Sequence, residues 1–288
     1  MITATTGMGN PVTFHATIKG VAVYLDYWAL KQLAKGDVSR RQRFVSAIRS
    51  GGDLIFSIAN AAELTGPQGG SRKALKDFLD ELGPHWFPVE LNPIIVVDRE
   101  SKGATPPDSC VVADDFMKGY FAARTKGYSP GSGRIIDLSD QFFSLGVFVD
   151  WTSSQRDSMR SRIEYLDRGM RKRFGAYRRE LELDPRWLDR HVPTFSFDPK
   201  RPASFALQHL VRMLVIEAKA RRLKKGDGID FCHAVIASSF AHIAALDKHW
   251  KRRVESLPKP NNLALIYYEP ELDQMVTELE SCTRTRRL

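Results

Sequence analysis

Two short apolar segments, each ending at an aspartate, lie near opposite ends of this 288-residue chain. Residues 21–25 precede Asp26, and residues 242–246 precede Asp247. Both segments have the length and composition of buried strands. Helical patterns fill much of the sequence between them. Strands at both ends with helices between them predict an α/β domain with a parallel sheet.

The remaining sequence adds further elements to this frame. Strands are also predicted at 53–57, at either 86–90 or 94–97, and at 263–268. Helices are predicted at 40–50, 71–82, 153–183, 203–225, 229–241 and 270–280. In the longest helix, apolar residues recur every three or four positions from Met159 to Leu181, as expected for one buried stripe. We therefore predict a discontinuous core formed by 20–66 and 226–282, interrupted by a mostly helical insert at 67–225.

The positive charge of the chain lies in one segment. Lys and Arg number 43 against 34 Asp and Glu, a net charge of +9. Residues 151–225 contain 19 Lys and Arg against 9 acids, so this segment carries the whole excess. Such a segment favours either a surface for a polyanion or a solvated helical face.

Two basic clusters are predicted to contact nucleic acid. One lies on the helix 153–183, and the other directly follows Asp247. The predicted contact residues are Arg171, Lys172, Arg178, Arg179, Lys248, Trp250, Lys251 and Arg252. An exposed Trp250 could stack on a base, whereas the alternative is that its ring points inward and anchors a basic helix.

Four carboxylates are predicted to meet at one edge of the sheet. Asp26 and Asp247 follow strands, Glu63 opens a helix after the second strand, and Asp230 begins a helix. Ligands of open α/β sheets bind beyond the carboxyl ends of the strands. Each acid alone also fits a turn or helix cap. Together they would repel unless protonated or neutralised by a hard cation such as Mg²⁺ or Mn²⁺. Such a cation can activate water for phosphodiester hydrolysis.

His233 lies one helical turn after Asp230. It could orient substrate or a metal-bound water molecule. The alternative is a buried histidine satisfied within the apolar face of its helix.

The order of these blocks resembles that of the PIN-like nuclease family. The resemblance lies in four short blocks: Val23-Tyr-Leu-Asp26, then Ser57 with Asn60 and Glu63, then Asp227-Gly-Ile-Asp230-Phe-Cys-His233-Ala, then Ala245-Leu-Asp247-Lys248. The family order is an aspartate after a strand, a glutamate in a helix, an acidic helix start, and an aspartate after another strand.

This resemblance implies both a fold and an activity. Asp26, Glu63, Asp230 and Asp247 would be the catalytic, metal-binding carboxylates, with Asp227 as a fifth metal ligand. Members of the family usually cleave RNA with Mg²⁺ or Mn²⁺, and many are toxins of bacterial toxin–antitoxin pairs. We therefore expect a metal-dependent endoribonuclease, with a role as a toxin or defence effector. The alternative is a catalytically silent PIN-like module that binds nucleic acid or a protein. DNA as substrate, an antitoxin partner and a homo-oligomer stay open.

Cysteine usage and hydropathy set the expected environment. Cys110, Cys232 and Cys282 lie far apart, which excludes a Cys-rich zinc site and disfavours a disulfide scaffold. The first residues of the sequence contain no basic region followed by an apolar region, so a signal peptide is not expected. The apolar runs are too short to span a bilayer. We expect a soluble cytoplasmic protein with no membrane association.

Overall fold

The computed structural model describes residues 2–5, 13–64, 70–112, 120, 144–217 and 223–285. The strands are β1 (Ile2–Thr5), β2 (Thr13–Ala16), β3 (Val21–Leu25), β4 (Gly52–Ser57), β5 (Trp86–Val89), β6 (Ile243–Ala245) and β7 (Leu265–Tyr267). The helices are α1 (Tyr27–Lys35), α2 (Val38–Gly51), α3 (Ile58–Leu64), α4 (Gly70–Glu81), α5 (Pro93–Ser101), α6 (Leu145–Ser154), α7 (Arg156–Leu183), α8 (Trp187–His191), α9 (Pro202–Glu217), α10 (Asp227–Phe240), α11 (Lys248–Glu255) and α12 (Leu272–Thr285). Short 3₁₀ helices lie at Asp108–Cys110 and Glu269–Glu271.

Five parallel strands form the main sheet, in the order β5-β4-β3-β6-β7. The chain therefore builds outward from β3 in one direction through β4 and β5. It then returns to the other side of β3 through β6 and β7. The direction of strand addition reverses between β3 and β6, which is the switch point of the sheet. The predicted α/β fold with a parallel sheet is confirmed.

The two apolar layers follow from the alternation of side chains along β3. Ala22 and Tyr24 contribute to a core that also contains residues of α7, α9 and α10. Val21, Val23 and Leu25 contribute to a second core, which includes residues of α1, α2, α4, α6 and α12. All five β3 residues are buried, as expected for a strand covered by helices on both faces. Each fully buried aliphatic or aromatic side chain contributes roughly 1.5–3 kcal/mol to such a core.

The edge strand β5 lies within the predicted insert. Trp86–Val89 pairs with β4, so the predicted strand at 86–90 is confirmed and the mostly helical segment 67–225 supplies one strand of the sheet. Proline is tolerated at such an edge because its missing N–H faces away from the neighbouring strand, and Pro88 occupies this strand. The alternative strand at 94–97 is wrong. Those residues belong to α5, which begins with Asn92 as its cap and proline at its first position.

The long basic helix packs directly on the core. α7 begins at Arg156 instead of 153 because the backbone breaks at Gln155, after α6. Met159, Met170 and Phe174 of the predicted stripe are buried. The ring of Phe174 meets that of Phe231 on α10, with centroids 4.8 Å apart.

Among the described residues, no helix combines the length and apolar character needed to cross a membrane.

Candidate active site

The switch point brings together the two aspartates that end strands. Leu25 and Ala245 are register partners at the ends of β3 and β6. One residue further, the backbone N–H of Asp26 donates a hydrogen bond to the carbonyl of Ala245 at 3.1 Å. Asp26 caps α1, and its Oδ1 accepts from the N–H of Tyr27 at 2.7 Å. Asp247 caps α11 without a side-chain capping bond. It therefore stands at the same sheet edge with its carboxylate uncommitted to the cap.

Glu63 and Asp230 complete an acidic cluster with these two residues. Glu63 lies on α3, which follows β4 directly, and Asp230 lies in the first turn of α10. The charge of Asp247 raises the pKa of Asp26. Asp26 and Asp230 both raise the pKa of Glu63, and Asp26 and Asp247 both raise that of Asp230. We call these four residues the acidic cluster. All four carboxylates therefore lie near enough at the predicted edge to interact electrostatically.

Burial and mutual repulsion make this cluster unfavourable in its charged form. Loss of solvation is the largest cause of each shift. It raises the pKa of Asp26 to about 6, that of Asp230 to about 7 and that of Glu63 to about 8. Solvent reaches part of Glu63, so screening by water reduces the energetic effect of its shift. Negative charge crowded at one place is stabilised by protons or by a cation.

The donor set fits a hard divalent cation, since its members offer carboxylate oxygens. Yet within the part of the chain that the structure describes, no three His, Cys, Asp or Glu side chains are already arranged to hold a metal ion. Asp26, Glu63, Asp230 and Asp247 would hold such an ion only after their side chains rotate toward one another. Asp227 is less available, because its carboxylate accepts a hydrogen bond from the N–H of Lys224 at 2.7 Å.

A buried polar network lies beneath the acidic cluster. The hydroxyl of Tyr24 contacts Nδ1 of His233, which joins β3 to α10. Asn60 Oδ1 accepts from the N–H and the hydroxyl of Ser57 at 2.9 and 2.8 Å. Asn60 Nδ2 donates to the carbonyl of Leu25 at 3.2 Å. The network links β3, β4, α3 and α10. Of these elements, β3 immediately precedes Asp26, α3 contains Glu63, and α10 contains Asp230.

His233 belongs to this network and not to an open cleft. It is buried, and burial lowers its pKa to about 4, so the imidazole is neutral at pH 7. Its Nε2 has no hydrogen-bond partner among the described residues. The interpretation of His233 as a buried histidine is therefore the one that the structure supports.

The sequence analysis missed Asp167, which positions the start of α10. This side chain is buried on α7. Its Oδ1 accepts from the N–H groups of Gly226 and Gly228 at 3.1 and 3.0 Å. A Cβ on Gly228 would lie 2.6 Å from the carbonyl oxygen of Asp167, so the close approach requires glycine. Asp167 thus fixes the helix terminus that presents Asp230. The only sequence signal is an acid near the buried stripe of a basic helix, which is not specific.

The predicted nucleic-acid contacts fall into two groups. Lys172, Arg179, Lys248 and Arg252 are exposed. Four others are engaged within the protein. Arg171 pairs with Asp167 at 2.8 Å, and Lys251 pairs with Glu271 at 2.6 Å. Arg178 is half-buried and donates to the carbonyl of Leu214 at 3.4 Å. Trp250 is only 4 % exposed. Arg171 and Arg178 of α7 are only partly exposed, and each makes a contact within the protein; the nucleic-acid contacts of both stay predictions.

Comparison with known proteins adds no relative to this geometry. No family model, curated protein or solved structure matches the chain.

Proposed function

We propose that this chain is a divalent-metal-dependent endoribonuclease of the PIN-like type. The observation that carries the proposal is the acidic cluster at the switch point of a parallel sheet. Burial and repulsion raise the pKa of three of its members. An electrostatically unfavourable cluster at a ligand-binding edge indicates a functional role for these carboxylates. Carboxylates with perturbed pKa values in a cleft are typical of functional sites.

Bound there, Mg²⁺ or Mn²⁺ would supply an activated water molecule and neutralise charge on a phosphodiester. Asp26 and Asp247 extend from the ends of adjacent strands, so the sheet fixes the spacing of their backbones. Glu63 and Asp230 approach from helices on either side. The water oxygen would form the new bond to phosphorus and lose a proton to a carboxylate of the acidic cluster, while the bond to the leaving ribose oxygen breaks and that oxygen takes up a proton from solvent.

RNA as the substrate is supported by the PIN-like order of the blocks and by the exposed basic side chains of α7 and α11. Lys248 and Arg252 lie on the helix that directly follows Asp247. A strand of nucleic acid crossing the cluster would meet these cations at once. Contacts of this type hold the phosphate backbone without reading its sequence.

The test is cleavage of a labelled single-stranded RNA by the full chain with Mg²⁺ or Mn²⁺. Cleavage should stop in EDTA. Asp26→Asn and Asp247→Asn should each lower the rate by at least about a hundredfold, since loss of a metal ligand costs more than loss of a supporting contact. Asp273→Asn, which removes an exposed carboxylate paired with Arg40 at 2.7 Å, should retain the parent rate. Undiminished cleavage in EDTA, or full activity of both cluster variants, would refute the proposal.

One observation favours a second candidate, a catalytically silent PIN-like module that binds nucleic acid or a protein. No three ligating side chains are already arranged for a metal within the described ranges. Calorimetric titration with Mn²⁺ separates the two candidates. The nuclease requires binding that disappears in Asp26→Asn. The silent module predicts RNA or protein binding without Mn²⁺ binding and without cleavage.

A further inference from the structure

A pocket next to the acidic cluster is not used by the chemistry proposed above. It lies among α7, α9, α10 and α11 and encloses about 530 Å³, counting the part open to solvent. Its lining includes Arg178, Leu214, Asp227, Asp230, Trp250 and Arg253. Asp230 belongs both to this lining and to the acidic cluster. A ligand in the pocket would therefore lie directly beside the proposed reaction site.

The pocket combines an apolar wall with a hydrogen-bond donor that lacks a partner. Leu214 and Trp250 supply the apolar surface and are both buried. The indole N–H of Trp250 is buried and has no hydrogen-bond partner among the described residues. A buried donor in this state costs about 1–3 kcal/mol, so a ligand that brings an acceptor to this wall would recover part of that cost.

Two guanidinium groups face the same space. Arg253 lies over the Trp250 ring, 5.0 Å from its centroid, and pairs with Glu217 at 2.8 Å. Arg178 is half-buried on α7, and burial lowers its pKa. The guanidinium still carries its charge at neutral pH. A planar guanidinium stacks on rings and donates paired hydrogen bonds to planar acceptors.

We propose that this pocket receives one unpaired nucleobase of a single-stranded substrate, next to the phosphate held at the acidic cluster. A base offers the flat apolar faces that the Leu214–Trp250 wall fits. Its ring nitrogens and carbonyl oxygens accept from guanidinium groups, and its amino groups donate to carboxylates such as Asp227. This inference rests on the proposed nuclease function for the identity of the polymer.

The experiment follows the Trp250 indole resonance in the full chain labelled with ¹⁵N-tryptophan. Trp250→Phe assigns the signal, and AMP, GMP, CMP and UMP are titrated in EDTA so that no cleavage occurs. At least one nucleotide should shift the Trp250 signal in a saturable manner. If Trp250→Phe does not fold, the Nε–Hε signal of Arg253 in a sample labelled with ¹⁵N-arginine, identified by its loss in Arg253→Gln, serves as the reporter.

Arg253→Gln should weaken nucleotide binding about tenfold or more. Arg40→Gln is the matched control. Arg40 lies on α2, and its side chain is about as exposed as that of Arg253 (23 % against 19 %). Each substitution removes one ion pair, which is 2.7 Å long between Arg40 and Asp273 and 2.8 Å long between Arg253 and Glu217. The control should change nucleotide affinity less than twofold. An Arg253→Gln variant that binds nucleotides like the parent would overturn the inference.

The outcomes separate this inference from the nuclease proposal. If RNA is cleaved but no nucleotide shifts Trp250, the pocket inference falls and the nuclease stands. If nucleotides shift Trp250 and RNA stays intact with Mn²⁺, the base pocket stands and the nuclease falls.

Discussion

Replacing Asp26 by Asn should stabilise the folded protein at neutral pH, contrary to the usual effect of changing a buried polar residue. Desolvation, with repulsion from Asp247, raises the pKa of Asp26 from 3.8 to about 6. The folded state therefore holds a proton that the unfolded state has already released. Between those two pH values, stability falls as pH rises, because the folded state binds more protons than the unfolded state.

The magnitude follows from the size of this shift. About 2 pKa units at 1.36 kcal/mol each give a destabilisation of about 3 kcal/mol, fully present above pH 6 and absent below about pH 4. Asn has no charge to bury and can still accept the capping hydrogen bond from Tyr27. Asp26→Asn should thus match the parent near pH 3.5 and exceed it by about 3 kcal/mol at pH 7. Relief of repulsion on Glu63 and Asp230 adds to this gain.

Urea unfolding of both proteins in EDTA, from pH 3.5 to pH 8, measures this difference. Asp273→Asn is the control with the opposite sign. Its ion pair with Arg40 lowers the pKa of Asp273, so this variant should be slightly destabilised at pH 7, by less than about 1 kcal/mol for an exposed pair. An Asp26→Asn variant no more stable than the parent at pH 7 would refute the reasoning. So would a gain of the same size at pH 3.5.

Three further predictions concern the surroundings of the site. Asn60→Ala should lower the free energy of unfolding by about 1–3 kcal/mol in urea, because it leaves buried polar groups without partners. Asp167→Asn should speed hydrogen exchange of the Gly228 amide, since a charge-assisted acceptor becomes a neutral one; unchanged exchange would remove Asp167 from its positioning role. Lys172→Gln with Arg179→Gln should reduce the salt slope of single-stranded RNA binding by about 1.4 in a filter-binding series. An unchanged slope would mark both residues as part of a solvated face.

The sequence predicted the sheet edge well because the relevant signals are local. An apolar run followed by aspartate marks the end of a buried strand, and parallel strands bring such ends to the same edge. Asp26 and Asp247 meet for this reason, and Glu63 follows because α3 starts directly after β4. The weaker prediction was β5. A four-residue strand containing Pro88 has too little periodicity to separate it from the apolar start of α5.

Other features depend on contacts that no local pattern encodes. Asp167 binds backbone N–H groups about 60 residues away, and it also pairs with Arg171 on its own helix. The helical period placed both residues on α7 but gave no indication of which neighbour each would reach. The sequence also did not determine whether the Trp250 ring points inward or outward, because the pattern of charged and apolar residues in a short basic helix is similar in both cases. Tertiary packing decided each case.

The pairing of β3 with β6 also affects how the protein can be made. Ala22 on β3 donates its N–H to Nδ1 of His242, just before β6, at 2.9 Å across a separation of 220 residues. At synthesis rates of about 5–20 residues per second, that separation takes roughly 10–45 s to translate. For most of this interval a ribosome-bound chain carries Asp26, and later also Glu63, without Asp230 and Asp247. If the chain is the nuclease proposed above, its four carboxylates can meet only after residues 230–247 have been made, so the shorter nascent chain would not cleave the RNA around its ribosome.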